Sequence, residues 1–283
     1  MDEPGFFGQS RVLFIGLGLM GGSLALALKE KVSWIGGMDI SDTALKQARD
    51  LKIFDALSDQ LPVLIPQSNV IILGAPVCQN IKLVQTLHQW TEAPHILMDL
   101  SSTKRQIVEA FSTLPSNFDP IGGHPMCGSE KSSILYARPD LFNEATFILS
   151  PLARTSQKAK KFALSLINTI SAQPLFLDPD IHDQITAQTS HFPYLAAAAL
   201  CLVTSMDSKP LVSSGFKSTS RLAGTSLSMI RDILLTNPDN VLDSITRYKE
   251  ILNDIETILK EKDTTQLNAI LEEARRKYLS LIS

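Results

Sequence analysis

The sequence predicts an α/β fold: an N-terminal parallel sheet flanked by helices, then an all-helical C-terminal region. Three observations carry this expectation. Apolar runs of strand length alternate with stretches of helical period through the first part of the chain, the first run breaks at a glycine cluster, and beyond Asp180 no convincing strand pattern remains.

Each element has its own signal. From Arg11 the order is strand "RVLFIG", turn "LGLMGG" and helix "SLALALKEK". A second apolar run, "SWIGGMDI", ends in an acid and is followed by the helical "DTALKQARDL". Strand "VIILGAP", helix "QNIKLVQTLHQW" and strand "HILMDLSS" come next, then a strand ending at "DPIGG". Two further strands, "ATFILS" and "PLFLD", flank the helical "TSQKAKKFALSLINTISA". The sheet domain is therefore expected to span residues 1–178, with Pro179 at the junction. Residues 179–283 are expected to form a helical substrate and dimerisation domain, because an apolar-faced helix such as "VLDSITRYKEILNDIETILKEK" suits pairing with a second subunit in a homodimer.

Composition narrows the function class. The chain has 283 residues, 44% of them hydrophobic and 19% charged, with a formal net charge of −3. That is the profile of a globular enzyme and points to neither nucleic acid nor a membrane surface as partner. Cys78, Cys127 and Cys201 show no metal or disulfide spacing, which fits a reducing, cytoplasmic setting. The N-terminal MDEPGFFGQS lacks the order of a signal peptide, and no apolar run approaches the roughly 20 residues that cross a bilayer. No pair of histidines stands at i, i+4 with a carboxylate partner, so no metal site is expected.

The glycine turn points to a dinucleotide. Gly16, Gly18 and Gly21 form G-x-G-x-x-G between a strand and a helix. The first glycine permits the tight turn, the second lets backbone approach a pyrophosphate, and the third lets helix and strand pack closely. Gly16, Gly18, Leu19, Met20 and Gly21 are the expected contacts, the helix N-terminal amides facing the phosphates. Asp39 closes the second strand about 20 residues further on, where a carboxylate accepts the ribose hydroxyls. It would repel a 2′-phosphate, and no arginine follows it closely, which favours NAD over NADP. FAD also uses this motif, usually in larger chains.

His124 is the candidate proton acceptor for hydride chemistry, since neutral imidazole is a base near neutral pH. It follows the strand end at "DPIGG", on the side of the sheet where ligands collect. Gly122 and Gly123 would let backbone come close to a ligand, and Pro125 would stiffen the turn. On chemistry alone, a histidine merely hydrogen-bonded in a loop fits equally well.

Five blocks in one order, "GLGLMGGSLA", "DLSSTK", "GGHPMCGSEKS", "HDQITAQTSHFPYL" and "GFKSTSRLAG", resemble the prephenate and arogenate dehydrogenases of tyrosine biosynthesis. The resemblance implies NAD-dependent oxidative decarboxylation of prephenate to 4-hydroxyphenylpyruvate. His124 would take the proton of the ring hydroxyl, and Ser102 would bind that hydroxyl or orient the histidine. Lys104 would hold a carboxylate, and Arg221 would grip the substrate carboxylate through its planar guanidinium. Glu130 would order the pocket, and His191 would be a second pocket histidine. Each has a plainer alternative: surface charge for Lys104, Glu130 and Arg221, helix cap for Ser102, helix packing for His191. The chain departs from the family pattern at Ser213, Ser214 and Ser218, where more glycine and an acid are usual, and at Cys127, which replaces a small alanine and reads as a buried filler. "HD" at His182 and Asp183 reads as a helix start. The resemblance also leads us to expect a single-function enzyme without a fused mutase or regulatory domain. The alternatives are an arogenate dehydrogenase, a 3-hydroxyacid dehydrogenase, and a non-catalytic NAD-binding regulatory module. The 3-hydroxyacid enzymes would use a helix lysine, which "HDQITAQTSHFPYL" does not supply.

Overall fold

The computed structural model describes residues 5–128 and 133–282. Eight strands form one sheet: β1 (Arg11–Ile15), β2 (Trp34–Met38), β3 (Ala56–Ser58), β4 (Val70–Leu73), β5 (His95–Asp99), β6 (Phe118–Pro125), β7 (Thr146–Pro151) and β8 (Gln173–Phe176). Their spatial order is β3-β2-β1-β4-β5-β6-β7-β8. All neighbours are parallel except β6 and β7.

The side chains explain the sheet. Val12 and Phe14 of β1, Ile72 of β4 and Met98 of β5 enter the core on one face. Leu13 and Ile15, Ile71 and Leu73, and Leu97 enter the core on the other. Such strands are apolar on both sides of the pleat, as a parallel sheet covered by helices requires. β3 went unnoticed in the sequence because it has only three residues, each half-buried.

Three helix starts carry side-chain caps. Ser41 accepts from the Ala44 amide at the helix Asp42–Asp50, and Ser156 from the Ala159 amide at the helix Gln157–Thr169. Asp178 caps the helix Pro179–Thr186, with proline at its first position. The helix Leu19–Leu28 differs: its N-cap is Gly18, with no side-chain bond to its first amides.

The last strand ends at Phe176, and every described element from Pro179 onward is helical. By packing, the chain divides into two compact units after Asn237, so the helices between Pro179 and Asn237 belong with the sheet. The second unit is the pair of helices Pro238–Glu261 and Thr264–Ile282. Among the described residues, no helix is long and apolar enough to cross a membrane.

Candidate active site

The strand order reverses between the parallel neighbours β1 and β4, which opens a crevice at their C-terminal ends. Gly16 lies there with φ +96°. A Cβ on it would come within 2.4 Å of the Ala75 nitrogen, and one on Gly21 within 2.4 Å of the Gly16 oxygen. Side chains are thus excluded from the turn, and the uncapped amides of the helix Leu19–Leu28 are left to an anion. Leu19 is buried in the core and Met20 packs against it, so what these two offer a ligand is backbone.

Asp39 follows β2. Its Oδ2 accepts from the Leu17 amide at 2.8 Å and its Oδ1 from the Ser41 amide at 2.9 Å. The carboxylate therefore braces the glycine turn and keeps lone pairs for a ribose. A pyrophosphate at the turn and a diol at Asp39 fit the groups present.

His124 does not follow its strand, as the sequence suggested; it lies within β6, opposite Ile148 of β7. The glycines before it serve packing rather than ligand approach. A Cβ on Gly123 would meet the Asp99 carbonyl oxygen at 2.6 Å, and one on Gly122 the Ser150 carbonyl oxygen at 3.1 Å. Their absence lets β6 lie close to its neighbours, and the Gly123 amide donates to Asp99 Oδ1 at 3.0 Å.

The imidazole is the end of a relay. His124 Nδ1 stands 2.8 Å from His182 Nε2, and His182 Nδ1 stands 2.8 Å from Asp183 Oδ1. Asp183 also accepts from the amides of Lys104 at 2.7 Å and Arg105 at 3.0 Å. Burial opposes its ionisation, yet the bonds from His182 and these two amides outweigh it and hold the carboxyl below its ordinary range. An ionised Asp183 must receive a proton from His182 Nδ1. With its proton on Nδ1, His182 turns Nε2 to His124 as the acceptor of His124 Nδ1–H. The free lone pair of His124 is therefore at Nε2. Burial pushes its pKa well below the usual imidazole value, and His182, Lys104 and His191 act in the same direction. The result is a neutral base with a fixed tautomer.

Lys104 holds a carboxylate of the protein itself, not one of a substrate. Its ammonium is fully buried and ion-paired with Asp99, whose oxygens also take the Ser101 and Gly123 amides. Asp99 joins the end of β5 to the strand carrying His124, and the Lys104 charge disfavours protonation of that ring. Ser102 lies half-buried in the same loop, next to Ser101, whose hydroxyl accepts from Asn80 Nδ2 at 2.9 Å. His191 is buried in the π-helical turn Ala187–His191 ahead of Pro193. Asn237 Nδ2 reaches the Asp183 carbonyl at 2.7 Å and His191 Nδ1 at 3.3 Å. Burial, with repulsion from His182, lowers the His191 pKa to about 4, against an opposing pull from Asp183. Arg221 opens a short 3-10 turn and is exposed. Glu130 lies outside the described residues. Burial raises the Cys127 thiol to about 11, so it is not a thiolate nucleophile.

The relay residues His182 and Asp183 were missed as functional groups. The signal was present: His182, Thr186, Asp183, Ala187 and His191 recur at i, i+4 along one buried face. A polar stripe at core spacing marks a buried network, not a solvated helix start.

The nucleotide-binding domain model of prephenate dehydrogenase matches residues 24–175, and its dimerization domain model matches residues 178–273. The chain is 35% identical over 269 residues to the prephenate dehydrogenase of Bacillus subtilis (strain 168), covering 92% of this chain and 72% of that protein. The crystal structure of prephenate dehydrogenase from A. aeolicus in complex with hydroxyphenyl propionate and NAD+ matches with a TM-score of 0.88 and 26% identity, over 96% of this chain and 98% of that one. Synechocystis arogenate dehydrogenase matches with a TM-score of 0.80 and 26% identity, over 95% and 99%. A glycine turn and a neutral histidine at the same end of one sheet, and two family models that together span most of the chain, lead to one conclusion: this chain belongs to the prephenate dehydrogenase family.

Proposed function

We propose that the chain catalyses the NAD-dependent oxidative decarboxylation of prephenate to 4-hydroxyphenylpyruvate, with His124 as the proton acceptor. The observation that carries this is the His124–His182–Asp183 relay, which leaves Nε2 of His124 unprotonated in β6, at the same end of the sheet as the glycine turn. NAD, when bound, supplies the acceptor for the hydride that leaves C4 of the substrate ring. The chain's own groups do the rest. His124 Nε2 takes the 4-hydroxyl proton as C4 gains carbonyl character, and the relay spreads the new positive charge toward Asp183. Electrons from the breaking bond to the ring carboxylate complete the aromatic ring as carbon dioxide leaves, and the phenolate oxygen takes the proton back from His124. Ser102 hydrogen-bonds the hydroxyl, and Arg221 holds a substrate carboxylate. Lys104 acts at one remove, keeping His124 neutral.

Asp39 supports NAD over NADP, because its carboxylate is tied to the turn by the Leu17 and Ser41 amides and cannot swing away from a 2′-phosphate. The proposed working division is a nucleotide domain of residues 1–178 and a substrate and dimerisation domain of residues 179–283. Exposed Ile251, Leu252 and Leu259 on the helix Pro238–Glu261, with Leu271, Tyr278 and Leu279 on the helix Thr264–Ile282, suit a homodimer interface. Arogenate is the second reading of the substrate, favoured by the match to an arogenate dehydrogenase.

The test offers purified protein prephenate or arogenate with NAD or NADP and follows NADH or NADPH absorbance. NADH formation from prephenate is expected. His124→Asn should lower kcat by about 10² to 10⁴ with NAD affinity nearly unchanged. Cofactor binding without turnover of either substrate would overturn the proposal in favour of a regulatory module.

A further inference from the structure

Asn237 reaches from the end of one helix to both the relay and a second histidine. It follows the helix Leu227–Thr236 and is fully buried. Its Nδ2 lies 2.7 Å from the Asp183 carbonyl oxygen and 3.3 Å from His191 Nδ1. A carbonyl oxygen only accepts, so the Asn237 atom facing it is the amide nitrogen, whose second hydrogen is left for the ring. A proton on His191 Nδ1 would set two donors against each other there. Nδ1 therefore accepts. Burial lowers the pKa of the ring to about 4, so the single proton of the neutral imidazole sits on Nε2.

The helix end is itself held in place. Thr236 donates its hydroxyl hydrogen to the Asp232 carbonyl at 2.8 Å, so at 2.8 Å it accepts from the hydroxyl of Thr103, a buried residue between Ser102 and Lys104. No described residue bonds His191 Nε2. Asn80 Oδ1 is the only buried side-chain nitrogen or oxygen among the described residues without a partner, so His191 Nε2 reaches open space.

We propose that Asn237 is a positioning residue that keeps the proton of His191 on Nε2, making that ring a neutral donor to an acceptor oxygen of the ring substrate, opposite in polarity to His124. The reason is electrostatic. A charge on His191 would oppose protonation of His124, the ring that must gain a proton in the reaction. A neutral N–H binds an oxygen without adding that charge. Both tautomers depend on Asp183: its carboxylate accepts from His182, and its carbonyl holds Asn237.

The inference rests on the reading of His191 as a pocket histidine and on the dehydrogenase activity proposed above, and its test separates them. Nitrogen NMR near neutral pH is recorded on protein carrying isotope-labelled histidine, with a His191→Ala sample assigning the His191 signals. In the unaltered protein His191 should show a bare Nδ1 and a protonated Nε2. Asn237→Asp keeps the shape but turns the donor into an acceptor, and His191 Nδ1 should gain a proton. That variant should lower kcat/KM for the ring substrate by about 3- to 10-fold, the worth of one hydrogen bond, with NAD affinity held within about twofold. On a His191→Ala background no tautomer is left to set, and the same substitution should change kcat/KM by less than about twofold. A protonated Nδ1 in the unaltered protein overturns the assignment without any variant having to fold. A bare Nδ1 in Asn237→Asp, or an equal loss on the His191→Ala background, overturns it as well. An unaltered kcat/KM in His191→Ala alone refutes the pocket role of His191, and the use of its donor with it. Turnover of neither prephenate nor arogenate would defeat the dehydrogenase reading, while the spectra still decide the tautomer.

Discussion

Replacing His182 with phenylalanine isolates the relay from the base it serves. The ring volume is kept, but His124 Nδ1–H loses its acceptor at 2.8 Å and Asp183 loses a donor at 2.8 Å. Two effects on kcat follow. The tautomer with Nε2 free loses one buried hydrogen bond, about 0.5–1.5 kcal/mol. The imidazolium that forms in the transition state loses its charge-assisted path to Asp183, about 1.5–3 kcal/mol. Together these give about 2–4.5 kcal/mol, and at about 1.36 kcal/mol per decade kcat should fall by about 30-fold to about 2000-fold. The assay is steady-state turnover of prephenate, with the melting temperature and NAD affinity measured on the same samples to separate chemistry from folding. Asp183 keeps its bonds from the Lys104 and Arg105 amides, so the fold should survive. His182→Gln is the paired variant: its carbonyl can accept from His124 and its amide can donate to Asp183, so it should recover much of the loss. A His182→Phe protein that folds, binds NAD and turns over within about threefold of the unaltered enzyme would refute the relay, as would a glutamine variant no better than phenylalanine.

Three further outcomes concern His191, Lys104 and Asp39. His191, with its pKa lowered to about 4, stays neutral in the folded state while the unfolded chain protonates below about 6.5. Its contribution is therefore complete above pH 6.5 and lost as pH falls toward 4. Between pH 6.5 and 5 the fold should lose about 2 kcal/mol through this group, and His191→Gln should flatten that part of the denaturant-stability curve; parallel curves would count against it. Lys104→Met leaves the Asp99 carboxylate buried without its cation, and urea denaturation should show a loss of about 3 kcal/mol, the lower end for a broken buried pair because the Ser101 and Gly123 amides remain. The same variant should move the acid limb of kcat/KM to higher pH, since a charge that kept His124 neutral is gone; a loss below about 1 kcal/mol with an unmoved limb would remove both roles. Asp39→Ser should narrow the preference for NAD over NADP measured as a ratio of kcat/KM values, and an unchanged ratio would detach Asp39 from the ribose.

Local signals made much of this protein legible before any coordinates. The glycine turn is readable because its constraint is local: a positive φ at Gly16 and close approach at Gly21 restrict residue type within a few positions. The change of texture after Asp178 is equally local, a capping aspartate followed by proline and then helical period. His124 stood out by residue type and company, but its setting did not, since "GGHP" reads as a turn until β7 supplies the antiparallel partner that makes it strand.

What the sequence by itself determined is the set of elements and the kind of chemistry they can host, because period, caps and glycine spacing act over a few residues. What only the tertiary structure decided is which charges meet. His182 and Asp183 lie far from His124 in the chain, and the packing of the helix Pro179–Thr186 beside the loop after β5 is what turns an ordinary helix start into the support of a base. Lys104 looked like a hand for a substrate until the fold closed over it and gave it Asp99. Burial and partner choice are set by contacts between distant segments, and those contacts fix tautomers and protonation states that no local pattern encodes.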